Sequence, residues 1–420
     1  MTTWRLVMMA LALIVHAGPS WAADWPQWRG PNRDGISAES GLLRQWPAEG
    51  PRLIWQVTNV GDGYSTPAVV GDRVFLLGND DSQEFAQAIT ASDGKQLWST
   101  RMGTIGRNNG PQYPGARSTP TVDGELVYAL GSDGDLVCLT ADSGEVRWRK
   151  NLRSDFGGEP GNWAYAESPL VDGNLLICTP GGASATLVAL DKNSGEVAWK
   201  SPLPDGDQAG YASAITVEIG GVKQFVQFLQ KGLVGLEAAS GKLLWRYGRT
   251  AEGSTANIPT PVCHDDLIYS AAGRSGGGLV QLKIDGAMVE PVQLYYSPEL
   301  PTSIGGSVHI DGFLYGTNSQ GLMCVQFTTG EAKWHERGIG PGAVCYADQC
   351  LYVHGENGDV ALVDATPEAY REKGRFSPRQ QPDRGRSRAW TYPVVANGRL
   401  YIRDLNVLWC YDVQADQTAK

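Results

Sequence analysis

Short apolar runs, separated by turn-forming residues, recur along the whole chain. In one representative stretch, residues 127–130 and 136–139 are apolar, and Ser132-Asp133-Gly134 stands between them. Runs of this length around a glycine-containing turn are typical of a β-hairpin. A second turn, Asp142-Ser143-Gly144, leads into a further strand that ends at Trp148. No apolar 3.6-residue period persists for two helices per repeat, so the pattern predicts strands.

This four-strand unit is repeated along the chain. Four clear copies span residues 65–98, 118–148, 167–199 and 212–245, and each ends on a tryptophan. Weaker copies span residues 259–296, 305–334 and 342–376. In the first of these Tyr295 or Tyr296 stands where the tryptophan would be, and in the last the tryptophan is lost. Four-stranded antiparallel units repeated radially form a β-propeller.

The two ends of the chain predict how the ring closes. Residues 392–413 supply three strands, and residues 52–57 resemble the missing outer strand with its Trp55. Joining them completes a blade and removes two exposed sheet edges. The 368 residues from 46 to 413 give about 46 per blade for eight blades,. The sequence therefore predicts an all-β, eight-bladed propeller of four-stranded antiparallel blades, closed by the N-terminal strand; seven blades is the alternative.

Each closing tryptophan has a predicted structural role. At the end of an outer strand, its ring can be buried against the neighbouring blade while the indole N–H donates to a main-chain acceptor.

The N-terminus has the features of an export signal. Arg5 precedes the apolar run 6–15, and the small residues of 20–23 suit a signal peptidase,. We expect a signal peptide at 1–23, an N-terminal extension at 24–45 packed across one propeller face, the propeller at 46–413 and a tail at 414–420. The mature protein is expected to be soluble and periplasmic or secreted. No later run approaches 18 apolar residues, so no transmembrane segment is expected.

Composition and charge narrow the range of possible functions. The 53 glycines and 14 tryptophans, with only 19% charged residues, suit many short strands and tight turns,. The formal charge of −10 would repel a phosphate backbone, so a nucleic-acid partner is not expected,.

The seven cysteines cannot all pair,. Cys138, Cys324 and Cys410 share one repeat position and are expected to be buried free thiols. Cys345 and Cys350 flank the predicted four-residue turn 346–349, so they are either cross-strand disulfide partners or free.

The repeat resembles a known family. The pattern V-D-G-x-x-V-Y, then G-x-L-x-C/A-L, then S-G-E-x-x-W is similar to the repeat of pyrroloquinoline-quinone (PQQ)-type propellers, a group that includes quinoprotein alcohol dehydrogenases and the outer-membrane assembly factor BamB. The stretch 25–35, W-P-Q-W-R-G-P-N-R-D-G, resembles the opening of a secreted subfamily of PQQ-like propellers. The resemblance covers nearly the whole mature chain and implies the fold more strongly than a function.

Two departures count against an active quinoprotein. Those enzymes carry adjacent cysteines over the quinone, and this chain has no Cys-Cys pair. Their calcium-binding carboxylate aligns with Gly182-Ala183-Ser184, where a neutral hydroxyl would weaken a Ca²⁺ site,. BamB-like proteins usually carry a lipidated N-terminal cysteine, and none precedes Cys138. No cofactor or metal is therefore expected, with PQQ and calcium as the alternative.

The central channel offers a candidate ligand site, because the entry residue of each innermost strand faces the axis. These entry residues are Tyr64, Arg117, Ala166, Tyr211, Ile258, Ile304, Pro341 and Trp390, and near them lie Tyr165, Glu167, Asn257 and Tyr392. Aromatic faces with a charged pair could stack on and orient a flat or polyhydroxylated ligand. The alternative is that these residues plug the channel and pair with one another.

A basic stretch offers a second candidate. Residues 371–390 hold six arginines and one lysine against Glu372 and Asp383, and are expected to form a long exposed loop. The loop is either simply solvated or a docking patch for an acidic partner or anionic envelope polymer. The docking residues would be Arg375, Arg379, Arg384, Arg386 and Arg388.

The sequence favours a binding or scaffold propeller over an enzyme. No nucleophile–base constellation is evident, so no catalytic residue is assigned. We expect a BamB-like, monomeric propeller contacting an envelope protein or glycan. The alternative is a PQQ-dependent alcohol or sugar oxidoreductase, with Glu167 and Asn257 as candidate metal ligands and Arg117 facing the quinone.

Overall fold

The computed structural model describes residues 23–204, 206–286 and 288–415, and shows eight four-stranded antiparallel blades around a central channel. The predicted signal peptide, apart from Ala23, lies outside the described residues, as does most of the predicted tail. Eight blades and not seven are present, as predicted.

Within each blade the strands run in sequence order from the channel outwards. Blades 1 to 4 contain β3 (Ala68–Val70), β4 (Arg73–Asn79), β5 (Gln83–Thr90), β6 (Gln96–Thr104); β7 (Thr121–Asp123), β8 (Leu126–Leu130), β9 (Asp135–Thr140), β10 (Val146–Asn151); β11 (Leu170–Asp172), β12 (Leu175–Cys178), β13 (Leu187–Asp191), β14 (Val197–Ser201); and β15 (Ile215–Ile219), β16 (Val222–Leu229), β17 (Gly232–Glu237), β18 (Leu243–Tyr247). Blades 5 to 7 contain β19 (Val262–His264), β20 (Leu267–Ala272), β21 (Gly276–Asp285), β22 (Met288–Ser297); β23 (Ser307–Ile310), β24 (Phe313–Thr317), β25 (Leu322–Gln326), β26 (Ala332–Glu336); and β27 (Gly342–Ala347), β28 (Cys350–Gly355), β29 (Val360–Asp364), β30 (Glu372–Phe376).

Blade 8 closes the ring in the predicted way. It contains β31 (Val394–Ala396), β32 (Arg399–Asp404) and β33 (Val407–Asp412), and its outer strand is β2 (Arg52–Val57). In addition, β1 (Ile36–Ser37) pairs in parallel with the inner strand of blade 7. A short helix α1 (Leu152–Phe156) and a 3₁₀ turn (Arg249–Ala251) lie in connections between blades.

The apolar core lies between neighbouring blades. The Trp98 ring packs against Gly144 of the next blade, where a Cβ atom would meet the ring at 2.5 Å. Gly144 also has φ +69°, so the turn needs glycine for its conformation as well as for this packing,. The indole N–H groups of five repeat tryptophans donate to main-chain carbonyls of the following blade, as predicted: Trp55, Trp98, Trp148, Trp199 and Trp334.

Two repeat positions depart from this pattern. Tyr295, and not Tyr296, takes the tryptophan position of blade 5, because its hydroxyl donates to the Phe327 carbonyl of blade 6. Trp245 donates to the side chain of Gln224 in its own blade. In the following blade, blade 5, the two outer strands β21 and β22 have ten residues each and form a long hairpin. Most of the other blades have a short turn at this place, next to the closing aromatic residue of the preceding blade.

The lost tryptophan of blade 7 is replaced from elsewhere in the chain. Gly374 stands opposite Leu362, the place that Trp334 takes opposite Cys324 in blade 6. Trp46 fills the space beside Gly374, and its ring lies 5.8 Å from that of Tyr352. The equivalent pair in blade 6, Trp334 with Tyr315, has a 6.1 Å centroid separation. Trp46, which directly follows the N-terminal extension, thus supplies the core residue that blade 7 lacks.

Cys345 and Cys350 are free thiols. The turn between them has two residues, Asp348 and Gln349, and not the four that the sequence suggested. Cys350 therefore faces Ala347, and Cys345 faces Tyr352. This places the two cysteines diagonally across the hairpin, where Cβ atoms lie farther apart than a disulfide allows.

Three of the predicted channel residues lie between blades. Glu167 is buried, and its carboxylate accepts hydrogen bonds from the Thr179 backbone N–H and, at 3.0 Å, from Gln227 Nε2. The Asn257 amide donates to the carbonyls of Leu229 and Gln230. The Tyr165 hydroxyl, also buried, donates to the Pro180 carbonyl at 2.8 Å.

We expect Trp46→Ala to lower the free energy of unfolding by about 3–5 kcal/mol, because a buried indole is removed between two blades and little can collapse into the space. Chemical denaturation of the purified protein measures this change. Leu97→Ala, at a side chain that is 46% exposed, is the control and should change stability by less than about 0.5 kcal/mol,. An equal effect of the two substitutions would contradict the assigned role of Trp46.

Glu167 should make stability depend on pH. Burial raises its pKa from 4.5 to about 7, so the folded state holds this proton more tightly than the unfolded state,. Its stabilising contribution is present below about pH 4.5 and is lost as the pH rises through about 7,. Glu167→Gln should abolish this component, which is on the order of 3 kcal/mol.

Unfolding free energies of both proteins between pH 4.5 and pH 8 measure the difference,. Glu145→Gln, at an exposed turn position, controls for removing one carboxylate. Parallel pH profiles for wild type and Glu167→Gln would refute the assignment.

Candidate functional site

The N-terminal extension runs through the centre of the propeller. We call residues 25–39 the N-terminal plug. Trp25 forms an antiparallel bridge with Val69 of blade 1, and the Pro26 carbonyl accepts from the Val122 N–H of blade 2. The sequence predicted packing across one face, whereas the plug bonds to the inner edges of the blades.

Two buried arginines extend these contacts to three more blades. Arg33 donates to the carbonyls of Ser168, Pro169 and Ala214, in blades 3 and 4. Arg29 donates to the Ser307 carbonyl of blade 6. Desolvation lowers the pKa of Arg33 to about 9, although the nearby Glu167 charge opposes this shift. Arg33 therefore remains a cation at neutral pH.

The N-terminal plug also makes hydrogen bonds to the remaining three blades. The Trp28 indole N–H donates to Thr260 Oγ1 of blade 5 at 2.8 Å. Blade 7 pairs with β1, and Ser37 Oγ donates to the Val395 carbonyl of blade 8 at 2.8 Å. The plug thus makes hydrogen bonds to every blade of the ring.

Above the plug lies a cavity of about 300 Å³ at the channel mouth. Its floor is Trp28, whose ring meets that of Tyr392 edge-on at 4.6 Å between centroids. We call this cavity the aromatic pocket. Its wall is formed by three tryptophans, four tyrosines, four aliphatic residues and one arginine: Trp28, Trp163, Trp390, Tyr64, Tyr113, Tyr211, Tyr392, Ala166, Ala256, Ile258, Ile304 and Arg117.

The aromatic side chains are held in place by one another and by hydrogen bonds. Trp390 lies 5.2 Å from Tyr64 and 5.3 Å from Tyr113 between ring centroids. Trp163 lies 5.7 Å from Tyr211, whose hydroxyl accepts the Trp163 backbone N–H. These contacts fix the ring faces before any ligand arrives, which lowers the ordering cost of binding.

Arg117 is the one charged group in the pocket wall. Its guanidinium donates to the Trp163 and Tyr113 carbonyls and to Asn108 Oδ1. Burial lowers its pKa, and the Glu84 charge partly offsets this shift. Among the described residues, no carboxylate lies within 4.0 Å of this guanidinium. Arg117 therefore has no direct ion-pair partner among the described residues, and the Glu84 charge acts on it from a greater distance.

The structure brings together eight of the twelve residues proposed for the channel mouth: Tyr64, Arg117, Ala166, Tyr211, Ile258, Ile304, Trp390 and Tyr392. Tyr165, Glu167 and Asn257 lie between blades instead, where their side chains hydrogen-bond to protein groups. Sequence reasoning missed Trp28, Tyr113 and Trp163, which lie outside the repeat. Their signal was the unusual aromatic content of the N-terminal segment and of the connections between blades.

The basic stretch is not one exposed loop. Residues 372–376 form the outer strand β30, where Arg375 pairs with Glu372 at 2.6 Å. Arg384 forms an ion pair with the buried Asp404, so it is held within the protein. These two arginines have partners inside the chain, which weakens their assignment to docking.

The rest of the stretch approaches the pocket. Arg379, Arg386 and Arg388 are exposed, and the Arg379 carbonyl accepts the Trp409 indole N–H. Ser387, between Arg386 and Arg388, accepts a hydrogen bond from the Tyr64 hydroxyl at 3.0 Å. The two candidate sites of the sequence are thus adjacent at the channel mouth.

The residues do not fit a quinone with its calcium ion. Glu167 and Asn257, the candidate metal ligands, do not line the pocket, and no acidic side chain does. In the part of the chain that the structure describes, no three His, Cys, Asp or Glu side chains are grouped to hold a metal. An ordinary Ca²⁺ site needs several oxygen ligands with negative charge, and the pocket offers a cation instead.

Across residues 23–415, with 205 and 287 excepted, no helix has the length and apolar character needed to cross a membrane.

Comparison with known proteins agrees with this architecture. Over 275 residues the chain is 26% identical to the outer membrane protein assembly factor BamB of Burkholderia pseudomallei, covering 56% of this chain and 69% of that protein. It is 27% identical over 241 residues to a polyvinylalcohol dehydrogenase of Sphingopyxis, but the match spans only 34% of that enzyme. The crystal structure of BamB from Moraxella catarrhalis superposes with a TM-score of 0.60 at 16% identity, covering 86% of this chain and 99% of that one.

A family model described as outer membrane protein assembly factor BamB matches residues 35–159 and 84–336. Together these matches cover more than half of the chain. The chain therefore belongs to this BamB-like family of PQQ-type propellers.

Proposed function

We propose that this protein is a non-catalytic binding propeller of the cell envelope, which contacts an envelope protein or glycan through its channel-mouth face. The observation that carries the proposal is the aromatic pocket, a set of seven rings around one arginine that has no direct ion-pair partner among the described residues. Concave, mostly apolar sites with a few fixed polar groups are the usual form of a binding site.

The pocket chemistry favours binding over catalysis. Its wall contains no carboxylate, histidine or cysteine, so it offers no general base and no nucleophile paired with one,. The hydroxyls of Tyr64 and Tyr392 donate to Ser387 and to the Ile304 carbonyl, which fits a positioning role.

The family supports an envelope location. Curated relatives in several organisms are named as outer membrane assembly factors, and the N-terminal sequence has the features of an export signal,. On this basis the protein acts outside the cytoplasm, with a protein or glycan partner of the envelope.

Mapping the binding face tests the proposal. Mature protein is incubated with purified envelope fractions, one of membrane proteins and one of polysaccharide, and binding is measured by biolayer interferometry. Arg117→Gln and Tyr211→Leu should each reduce binding about 10-fold, since both alter the pocket wall. Lys242→Gln, on the exposed turn between β17 and β18 at the opposite end of blade 4, should leave binding unchanged.

Unchanged binding by both pocket variants would move the binding site to the basic stretch or the N-terminal plug. If the wild-type protein bound neither fraction, the proposal would be wrong. Circular dichroism of every variant shows whether a loss reflects unfolding.

Titration with PQQ and Ca²⁺ tests the oxidoreductase alternative. Because the pocket wall lacks metal ligands, we expect no rise in melting temperature with excess quinone at millimolar calcium. A saturable, calcium-dependent rise, together with quinone absorbance that stays with the protein after gel filtration, would favour the enzyme.

A further inference from the structure

We infer that the aromatic pocket binds one uronic-acid ring of an acidic oligosaccharide. This inference rests on the proposed function and names the ligand of its site. It follows from four features of the channel mouth: ring faces, charge, spare hydroxyl capacity and an adjoining polar groove.

The ring faces suit a sugar. A pyranose has flat C–H faces that pack on aromatic rings, and such amphipathic walls bury apolar area while leaving polar edges free. Trp28 forms the floor, while Trp163 and Trp390 stand in the wall. A cavity of about 300 Å³ is at the small end of ligand pockets and suits a single ring,.

The positive charge of Arg117 favours an acidic ligand. Arg117 has three uncharged acceptors and no carboxylate within 4.0 Å among the described residues, so a ligand carboxylate would be its first ionic partner. Charge-assisted hydrogen bonds of this kind are stronger than neutral ones. Arg386 and Arg388 are exposed and flank Ser387, which accepts the Tyr64 hydroxyl, and the Arg388 charge also acts on the Glu356 carboxylate.

Spare hydrogen-bonding capacity suits sugar hydroxyls. The hydroxyl of Tyr64 donates to Ser387, which leaves oxygen lone pairs to accept from a ligand,. The Tyr211 hydroxyl accepts the Trp163 N–H, which leaves its own proton to donate,. The wall therefore offers both donors and acceptors without an acidic side chain.

A polar groove lies beside the pocket, because Gly161 in its lining is a neighbour of the Tyr211 hydroxyl. Its volume is about 900 Å³, and its lining also includes Asn109 and Glu159. Asn109 follows Asn108, the partner of Arg117, and its N–H donates to the Asn162 carbonyl beside Trp163. Because the groove carries both acidic and basic side chains, it suits the hydroxyls of further sugar units,. An oligosaccharide therefore fits better than a free monosaccharide.

The test uses trigalacturonate and its fully methyl-esterified form, which keeps the rings and removes the charge. Binding to mature protein is followed by isothermal titration and by tryptophan fluorescence, since three tryptophans line the pocket. We expect the acid to bind at least about 10-fold more tightly than the ester. Galacturonate alone should bind more weakly than the trimer.

Variants assign the effect to the pocket. Arg117→Gln should remove the preference for the acid, whereas Lys242→Gln, which removes the same charge at the opposite end of its blade, should keep it. Because Arg117 also ties two connections together, the exposed double variant Arg386→Gln/Arg388→Gln provides a second test. It should weaken binding of the acid and its dependence on salt while leaving the fold intact.

The outcomes separate this inference from the proposed function. Equal binding of acid and ester, or no binding of either, overturns the acidic-sugar inference. If Arg117→Gln still reduces binding to envelope fractions in that case, the channel-mouth face remains the binding surface and only the ligand class is wrong. If it does not, the acidic-sugar inference fails together with the assignment of the channel-mouth face as the binding surface.

Discussion

The hydrogen bonds between the N-terminal plug and the inner strands are the interaction on which the rest of the structure depends. An inner strand of a propeller has one edge facing the channel, and its main-chain groups there need partners. Arg33 alone satisfies three such carbonyls in two blades, and β1 pairs with the inner edge of blade 7. The plug therefore fills the axis with bonded protein, although it buries two cations to do so.

The same interaction creates the aromatic pocket. Without Trp28 the channel mouth would open into the axis, and the ring that meets Tyr392 would be missing. With the plug in place, the mouth becomes a pocket whose floor comes from the N-terminal segment and whose walls come mostly from the entries of the inner strands. The N-terminal plug thus both stabilises the fold and forms part of the candidate site, and it brings residues that are far apart in sequence together at the axis.

The repeat predicted much of this arrangement, because it places one residue of each blade at the same point just before the inner strand. Of the eight entry positions, all but Pro341 line the pocket. Glu167 and Asn257 each neighbour an axis-facing residue, but their side chains lie at a blade interface and hydrogen-bond to protein groups there. The course of the plug could not be predicted, because it depends on bonds from Arg29 and Arg33 to distant carbonyls, which leave no periodic trace in the sequence.

Two contacts join the start of the chain to its last blades: Trp46 replaces the missing tryptophan of blade 7, and β2 closes blade 8. These contacts affect the folding kinetics. Residues near the start of the chain meet partners near its end, as where Leu53 pairs with Tyr411. Contacts of such high sequence separation slow folding. During synthesis the first residues to emerge have to wait for the last, and their apolar edges stay uncovered meanwhile. Such a chain is exposed to aggregation until its C-terminal blade is complete, and this vulnerability favours protection by chaperones.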